Sequence, residues 1–225
     1  MKAMLLAAGR GQRMRPLTDT LPKPLLPVGG KPLIVWQLER LKRAGIDCIV
    51  INLSYLGERI VAALGDGARW GVRIRYRWER GGALETGGDI RAALAQLQDG
   101  PFLVANADVW TDFPYRTLVD RVPDQAHLVL IDNPAHRPAG DFLLRPDGRL
   151  DPAVGRPLTF SGIGVYRPDF IARRAPGRFA LAPLLRDGIA EGRVSGEYWP
   201  GDWRDIGTPA RLAELDQWLR GRGDG

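Results

Sequence analysis

The chain has 225 residues, 44% of them hydrophobic and 26% charged, a balance that suits a soluble α/β domain with its own core, and no apolar run approaches the ~18 residues of a membrane span. The single cysteine, Cys48, excludes an internal disulfide, fits a reducing cytoplasm and reads as a small buried hydrophobe. The formal net charge of +6 comes from 28 Arg and 4 Lys interspersed with acidic residues; nucleic acid is one partner it allows, and a basic site for small polyanions explains the sign as well.

Met1-Lys2 leads directly into an apolar run, Ala3 to Ala8, which predicts a buried first strand and leaves no removable secretory signal. It empties into Gly9-Arg10-Gly11-Gln12-Arg13-Met14-Arg15. Two glycines let backbone approach a ligand closely, and a strand that opens into such a loop can aim successive N–H groups at an anion. The loop lacks the G-x-x-x-x-G-K-[ST] of a Walker A, and Met14 stands where a dinucleotide fingerprint needs its third glycine. In an arginine-biased chain each lysine is informative. Lys23, between Pro22 and Pro24, is a compact ammonium suited to a phosphate.

Leu33, Ile34, Trp36, Leu38 and Leu41 predict a helix over 31–44, stopped at Gly45. Residues 47–53 read as a second buried strand, 55–64 as a helix and 72–78 as an alternating strand. Arg80-Gly81-Gly82 breaks the pattern, Leu84 to Gly88 reads as a loop, and a helix follows over 89–97. Residues 101–105 form another short apolar strand ending in Asn106-Ala107-Asp108. This alternation implies a mostly parallel sheet covered by helices on both faces, with ligands outside the carboxyl ends of the strands, where Gly9, Gly87 and Asp108 fall.

The second half is less regular. Residues 128–131 read as a strand, 133–140 as a loop, 141–150 as a hairpin around Asp147-Gly148, and 158–166 as a strand. A helix is predicted over 181–191, an extended segment over 196–203, and a last helix over 208–219 with Pro209 in its first turn. A Pro/Gly-rich stretch near 132–157 divides two halves of one domain.

Asp108, directly after a strand, and Asp205, in Trp203-Arg204-Asp205-Ile206-Gly207-Thr208, have the chemistry of Mg²⁺ ligands beside a phosphate loop. An aspartate in that position also serves as a helix cap or turn residue. Thr86 can likewise cap a helix, and His127 and His136 sit in no metal or triad spacing.

LAAGRGQRMRPLT followed by PKPLLPVGGKPLI resembles the N-terminal signature of the sugar-1-phosphate nucleotidyltransferases, and the likeness extends to about Leu219. It implies a Rossmann-like three-layer sandwich with a mostly parallel mixed sheet, the glycosyltransferase-A-like nucleotidyltransferase fold. It implies that residues 1–225 form one domain, its N-terminal half mainly for nucleotide and its C-terminal half for sugar. By the same resemblance, Arg13, Lys23, Asp108 and Asp205 would be catalytic, with Mg²⁺ on the two aspartates, although Ala107 replaces the family's usual glycine. Ala8, Gly9, Gly11, Arg13, Lys23, Glu85, Thr86 and Gly87 would hold the nucleotide; Asn106, Gly140, Asp141 and Ser161 would face the sugar.

LETGG, NADVWTD, NPAHRPAGDF and TFSGIGVY are most similar to family members that join UTP to N-acetylmuramate 1-phosphate in cell-wall recycling. Guanylyl transfer to mannose 1-phosphate and thymidylyl or uridylyl transfer to glucose 1-phosphate share the core motifs. An inert sugar-nucleotide sensor is the reading from another class. Expected partners are an NTP and a sugar 1-phosphate, with no nucleic acid or membrane, for a cytoplasmic monomer or small homo-oligomer. No hexapeptide repeats follow before Gly225, so nucleotidyl transfer alone is expected. No lysine follows Lys42, so an arginine such as Arg156 would hold the sugar phosphate.

Overall fold

The computed structural model describes residues 1–79 and 84–222. Arg80-Gly81-Gly82, where the sequence breaks its pattern, lies outside the described residues. The chain begins with β1 (Lys2–Leu6), then β2 (Pro27–Val28), β3 (Lys31–Pro32), α1 (Leu33–Arg43), β4 (Cys48–Leu53), α2 (Gly57–Leu64), β5 (Arg73–Trp78), α3 (Glu85–Leu97) and β6 (Phe102–Asn106). It continues with β7 (Val109–Thr111), β8 (Ala126–Ile131), β9 (Phe142–Leu144), β10 (Leu150–Asp151), β11 (Arg156–Tyr166), α4 (Pro168–Ala172), α5 (Leu181–Ala190), β12 (Val194–Tyr198), β13 (Trp203–Asp205) and α6 (Pro209–Gly221).

The main sheet of nine strands is mixed, as expected. β6, β1, β4 and β5 form a parallel block. β11 closes it antiparallel to β6 and carries β8 and β9 beyond, with β12 parallel to β8. The parallel strands are apolar at nearly every position because both of their faces are covered. Ala3 and Leu5 meet Ile34, Leu38 and Ile60 from α1 and α2 on one face. Met4 meets Ile90 and Leu94 of α3 and Leu184 of α5 on the other. This is the expected three-layer arrangement.

A third cluster matters most for function. Met14 of the glycine loop, Trp36 of α1, Trp110 of β7, Ile206 and Leu215 of α6 pack together. Trp36 and Trp110 stack edge to face at 6.2 Å, and Trp110 meets Trp218 at 5.0 Å. This cluster packs the loop carrying Arg13 against β7 and α6, next to Asp108 and Asp205.

Three segments differ from the sequence expectation. The helix predicted from Asp89 begins four residues earlier, because Gly87 and Gly88 lie against Phe179 and Gly177 in a contact that leaves no room for a Cβ. Close packing there overrides the low helix propensity of glycine. The extended stretch over 196–203 is two strands: β12 in the main sheet, and β13 in a separate ladder with β7. Cys48, at the first position of β4, is half-buried rather than buried.

Candidate active site

The end of β1 and the loop after it form the floor of a cavity of about 690 Å³. It lies outside the carboxyl ends of β1, β4 and β6, as an open parallel sheet dictates. Ala8, Gly9, Gly11, Arg13, Lys23, Glu85, Thr86, Asn106 and Asp108 all line it. Gly11 sits at φ +61°, and a Cβ there would stand 3.0 Å from the Thr18 methyl. Thr18 Oγ1 donates to Gly11 O at 2.8 Å, and Met14 N donates to the same carbonyl, so the turn is fixed from inside. Around Gly9 there is open space instead, which leaves its backbone free to face a ligand.

Lys23 is buried, yet its ammonium remains matched: Nζ donates to Asp108 Oδ2 at 2.5 Å. Asp205 is brought beside Asp108 by the β7–β13 ladder, in which Asp205 faces Val109 and Ile206 N donates to Asp108 O at 3.3 Å. Asp205 Oδ2 accepts from Arg211 Nη1 at 2.9 Å. Among the described residues no group of three or more His, Cys, Asp or Glu side chains could enclose a metal. Two carboxylates suit a hard divalent cation that draws the rest of its shell from phosphate oxygens and water.

A second cavity, of about 640 Å³, continues the first. Arg13, Glu85, Thr86, Asn106 and Asp108 line both. The second is walled by residues from the β8–β9 loop, β11, α5 and β13, including Asp141, Ser161 and Asp205. Asp141 is held by Arg137 Nη1 at 2.9 and 3.0 Å and accepts from Phe160 N. The Ser161 hydroxyl donates to Val129 O at 2.7 Å and accepts from Ile163 N, so it holds the bulge in β11.

Two expected contacts are not brought to the cleft. Gly87 lines neither cavity, because it packs under Phe179; Gly140, at φ +70°, turns the chain against Asn133 and Leu158. Arg156 lies outside both cavities as well. It pairs with Asp132 at 2.6 Å and stacks over Tyr198.

Sequence reasoning missed Asn52, Glu79 and Asp89 in the first cavity. Asn52 Oδ1 accepts from Ala7 N and its amide donates to Glu79 Oε1, both at 2.8 Å, tying the end of β1 to β4 and β5. Burial and the adjacent Glu79 carboxylate push the Asp89 carboxyl up to about 7. In the second cavity, His136 and Arg137 lie in NPAHRPAGDF, from which no contact was expected of them, and Arg186 had no motif to mark it.

A parallel block of strands with a glycine loop at its carboxyl ends, and two aspartates beside the β7–β13 ladder, thus opens onto a two-part cleft. The fold matches that of a solved UDP-glucose pyrophosphorylase complexed with UDP-glucose, with a TM-score of 0.78 over 98% of each chain at 19% identity. The sequence profile described as nucleotidyl transferase matches residues 2–142. The chain belongs to the nucleotidyl transferase family, as its first thirty residues imply. It is 53% identical to an N-acetylmuramate alpha-1-phosphate uridylyltransferase of Neisseria meningitidis, over 95% of this chain and 96% of the relative. It is 37% identical to the protein of that name from Caulobacter vibrioides, over 94% and 97%.

Proposed function

We propose that the chain transfers UMP from UTP to N-acetylmuramate 1-phosphate, releasing pyrophosphate and giving UDP-N-acetylmuramate for cell-wall recycling in the cytoplasm. One observation carries the reading: Arg13, Lys23, Asp108 and Asp205 converge where the two cavities join. UTP occupies the cavity over the glycine loop, and the sugar occupies the cavity walled by β11 and α5. Residues 1–225 act as one catalytic domain divided along that line.

The reaction needs no nucleophile from the protein. A sugar 1-phosphate carries about −1.5 to −2 charge near neutrality. One of its oxygens attacks the α-phosphorus of UTP. The new P–O bond forms as the bond to the bridging oxygen breaks, and the electron pair leaves with pyrophosphate. The protein has to bring two anions into line and balance their charge. Arg13 and Lys23 neutralise the phosphates. Asp108 and Asp205 would hold Mg²⁺, which would supply further charge neutralisation. In the structure Lys23 and Asp108 satisfy each other, so a phosphate that draws the Lys23 ammonium away would leave the Asp108 carboxylate free to hold a cation.

The test is pyrophosphate release with Mg²⁺, crossing UTP, dTTP, GTP, CTP and ATP against the 1-phosphates of N-acetylmuramate, N-acetylglucosamine, glucose and mannose. Turnover chiefly with UTP and N-acetylmuramate 1-phosphate is expected. Preference for GTP with mannose 1-phosphate, or dTTP with glucose 1-phosphate, would overturn the substrate assignment. Nucleotide binding without turnover of any pair would favour a sensor.

A further inference from the structure

Charges around the sugar cavity balance in pairs, with two exceptions. Glu85 is matched by Arg178 at 2.8 Å, Asp108 by Lys23 at 2.5 Å, Asp141 by Arg137 at 2.9 Å and Asp205 by Arg211 at 2.9 Å. The lining cations left without a carboxylate among the described residues are Arg13 and Arg186. Arg13 lines both cavities, beside Asp108, where the phosphates meet. Arg186 lines the sugar cavity alone.

Its setting narrows what it can bind. Arg186 lies on α5 four residues after Ala182, so the two share a helix face. Leu181, Ala182 and Leu185 wall the cavity around it. Arg186 is exposed in the structure, and a sugar packed on that wall would strip water from its guanidinium, which is unfavourable unless the ligand brings an acceptor of its own. The reacting phosphates belong at the other end, with Arg13, Lys23 and the two aspartates. The site therefore fits a ligand with a second anion on the sugar itself.

We infer that Arg186 receives the carboxylate of an acidic sugar 1-phosphate, the lactyl group of N-acetylmuramate, in a forked two-bond pair, and so sets the preference over neutral N-acetylglucosamine 1-phosphate. This rests on the function proposed above. Arg186 is a specificity residue; the phosphoryl transfer does not pass through it.

The experiment compares wild type with Arg186→Met and Arg186→Lys in steady-state kinetics and in calorimetric binding of UDP-N-acetylmuramate and UDP-N-acetylglucosamine. A charge-assisted forked pair is worth a factor of about 10–100 in affinity. Arg186→Met is expected to raise KM for N-acetylmuramate 1-phosphate by that factor with kcat little changed. It should weaken UDP-N-acetylmuramate binding equally and leave UDP-N-acetylglucosamine binding unaltered. Arg186→Lys should recover part of the loss. Equal losses for both sugars would overturn the inference and assign Arg186 to the shared phosphates or to the fold. No loss for either would overturn it too. Wild type that does not prefer N-acetylmuramate 1-phosphate would overturn the functional reading and this inference together, whereas wild-type preference retained in Arg186→Met would sink the inference alone.

Discussion

The two halves of the cleft are built by different means. The half over the glycine loop stands on one contiguous scaffold: β1, its loop and the ends of β4 and β6, fixed by parallel pairing and by Met14 anchored in a tryptophan-rich cluster. The other half is made of side chains from the β8–β9 loop, β11, α5 and β13, and it meets the first through the short β7–β13 ladder. Side chains set on separate elements can be exchanged one at a time, which suits a subsite that differs from one sugar to another. On the proposed function, common chemistry would fall to the first half and selectivity to the second.

The largest expected effect is at the junction. Asp108→Asn and Asp205→Asn should each lower kcat by on the order of 10²–10³-fold or more, whichever sugar is offered. Pyrophosphate release under saturating substrate checks this. Asp108→Asn should also lower the melting temperature, because it removes the counter-ion of buried Lys23. Asp205→Asn, whose partner Arg211 is more exposed, should lower it less. Substantial activity in either variant would dissolve the junction and with it the division between the halves.

Next come the loop glycines. Gly11→Ala forces a Cβ at φ +61° against Thr18 and should destabilise the fold by about 1–2 kcal/mol. Gly9→Ala meets nothing and should leave the melting temperature unchanged while raising KM for the nucleotide. If both behave alike, the loop is a rigid turn rather than a ligand cradle. Gly87→Ala extends the same logic. Its Cβ would stand 2.5 Å from Phe179 Cδ2, so a loss of about 1–3 kcal/mol in chemical denaturation is expected. An unchanged stability with altered base preference would restore Gly87 to the nucleotide.

That last case shows what the sequence could and could not reveal. The first strand, the glycine loop and the strand–helix alternation were legible because their signals are contiguous: apolar runs, fixed spacings and punctuating glycines. Leu84 to Gly88 read as a loop because glycine disfavours helices, and only the contact of α3 with Phe179 and Gly177 reverses that preference. β7 and β13 have three residues each, too few to display a period, yet they bring Asp108 and Asp205 together across nearly a hundred residues. Arg186 was one arginine among 28 with nothing in the sequence to single it out, and Arg156, expected to hold the sugar phosphate, lines neither cavity and pairs with Asp132 instead.

The smallest effect tests the nucleotide half for the counterpart of the surplus Arg186. Two carboxylates, Glu79 and Asp89, share one wall of that cavity. Burial, then the charge of Glu79 and a hydrogen bond with it, push Asp89 from 3.8 up to about 7. A carboxyl raised in the folded state contributes stability that is fully present below its unfolded value, near pH 4, and is lost as pH rises through about 7. Asp89→Asn removes that titration. Because Asp89 is only partly buried, water screens much of the repulsion, and the variant should exceed wild type by about 1 kcal/mol at pH 8, with the difference vanishing by pH 4. Melting temperatures of both proteins across pH 4–8 read this directly, and parallel curves would show that Asp89 ionises freely. Convergence at low pH would instead place a protonated acid beside the nucleotide at neutral pH. One wall of that half would then shed a negative charge as pH falls through about 7, so the charge of that cavity would depend on pH near neutrality.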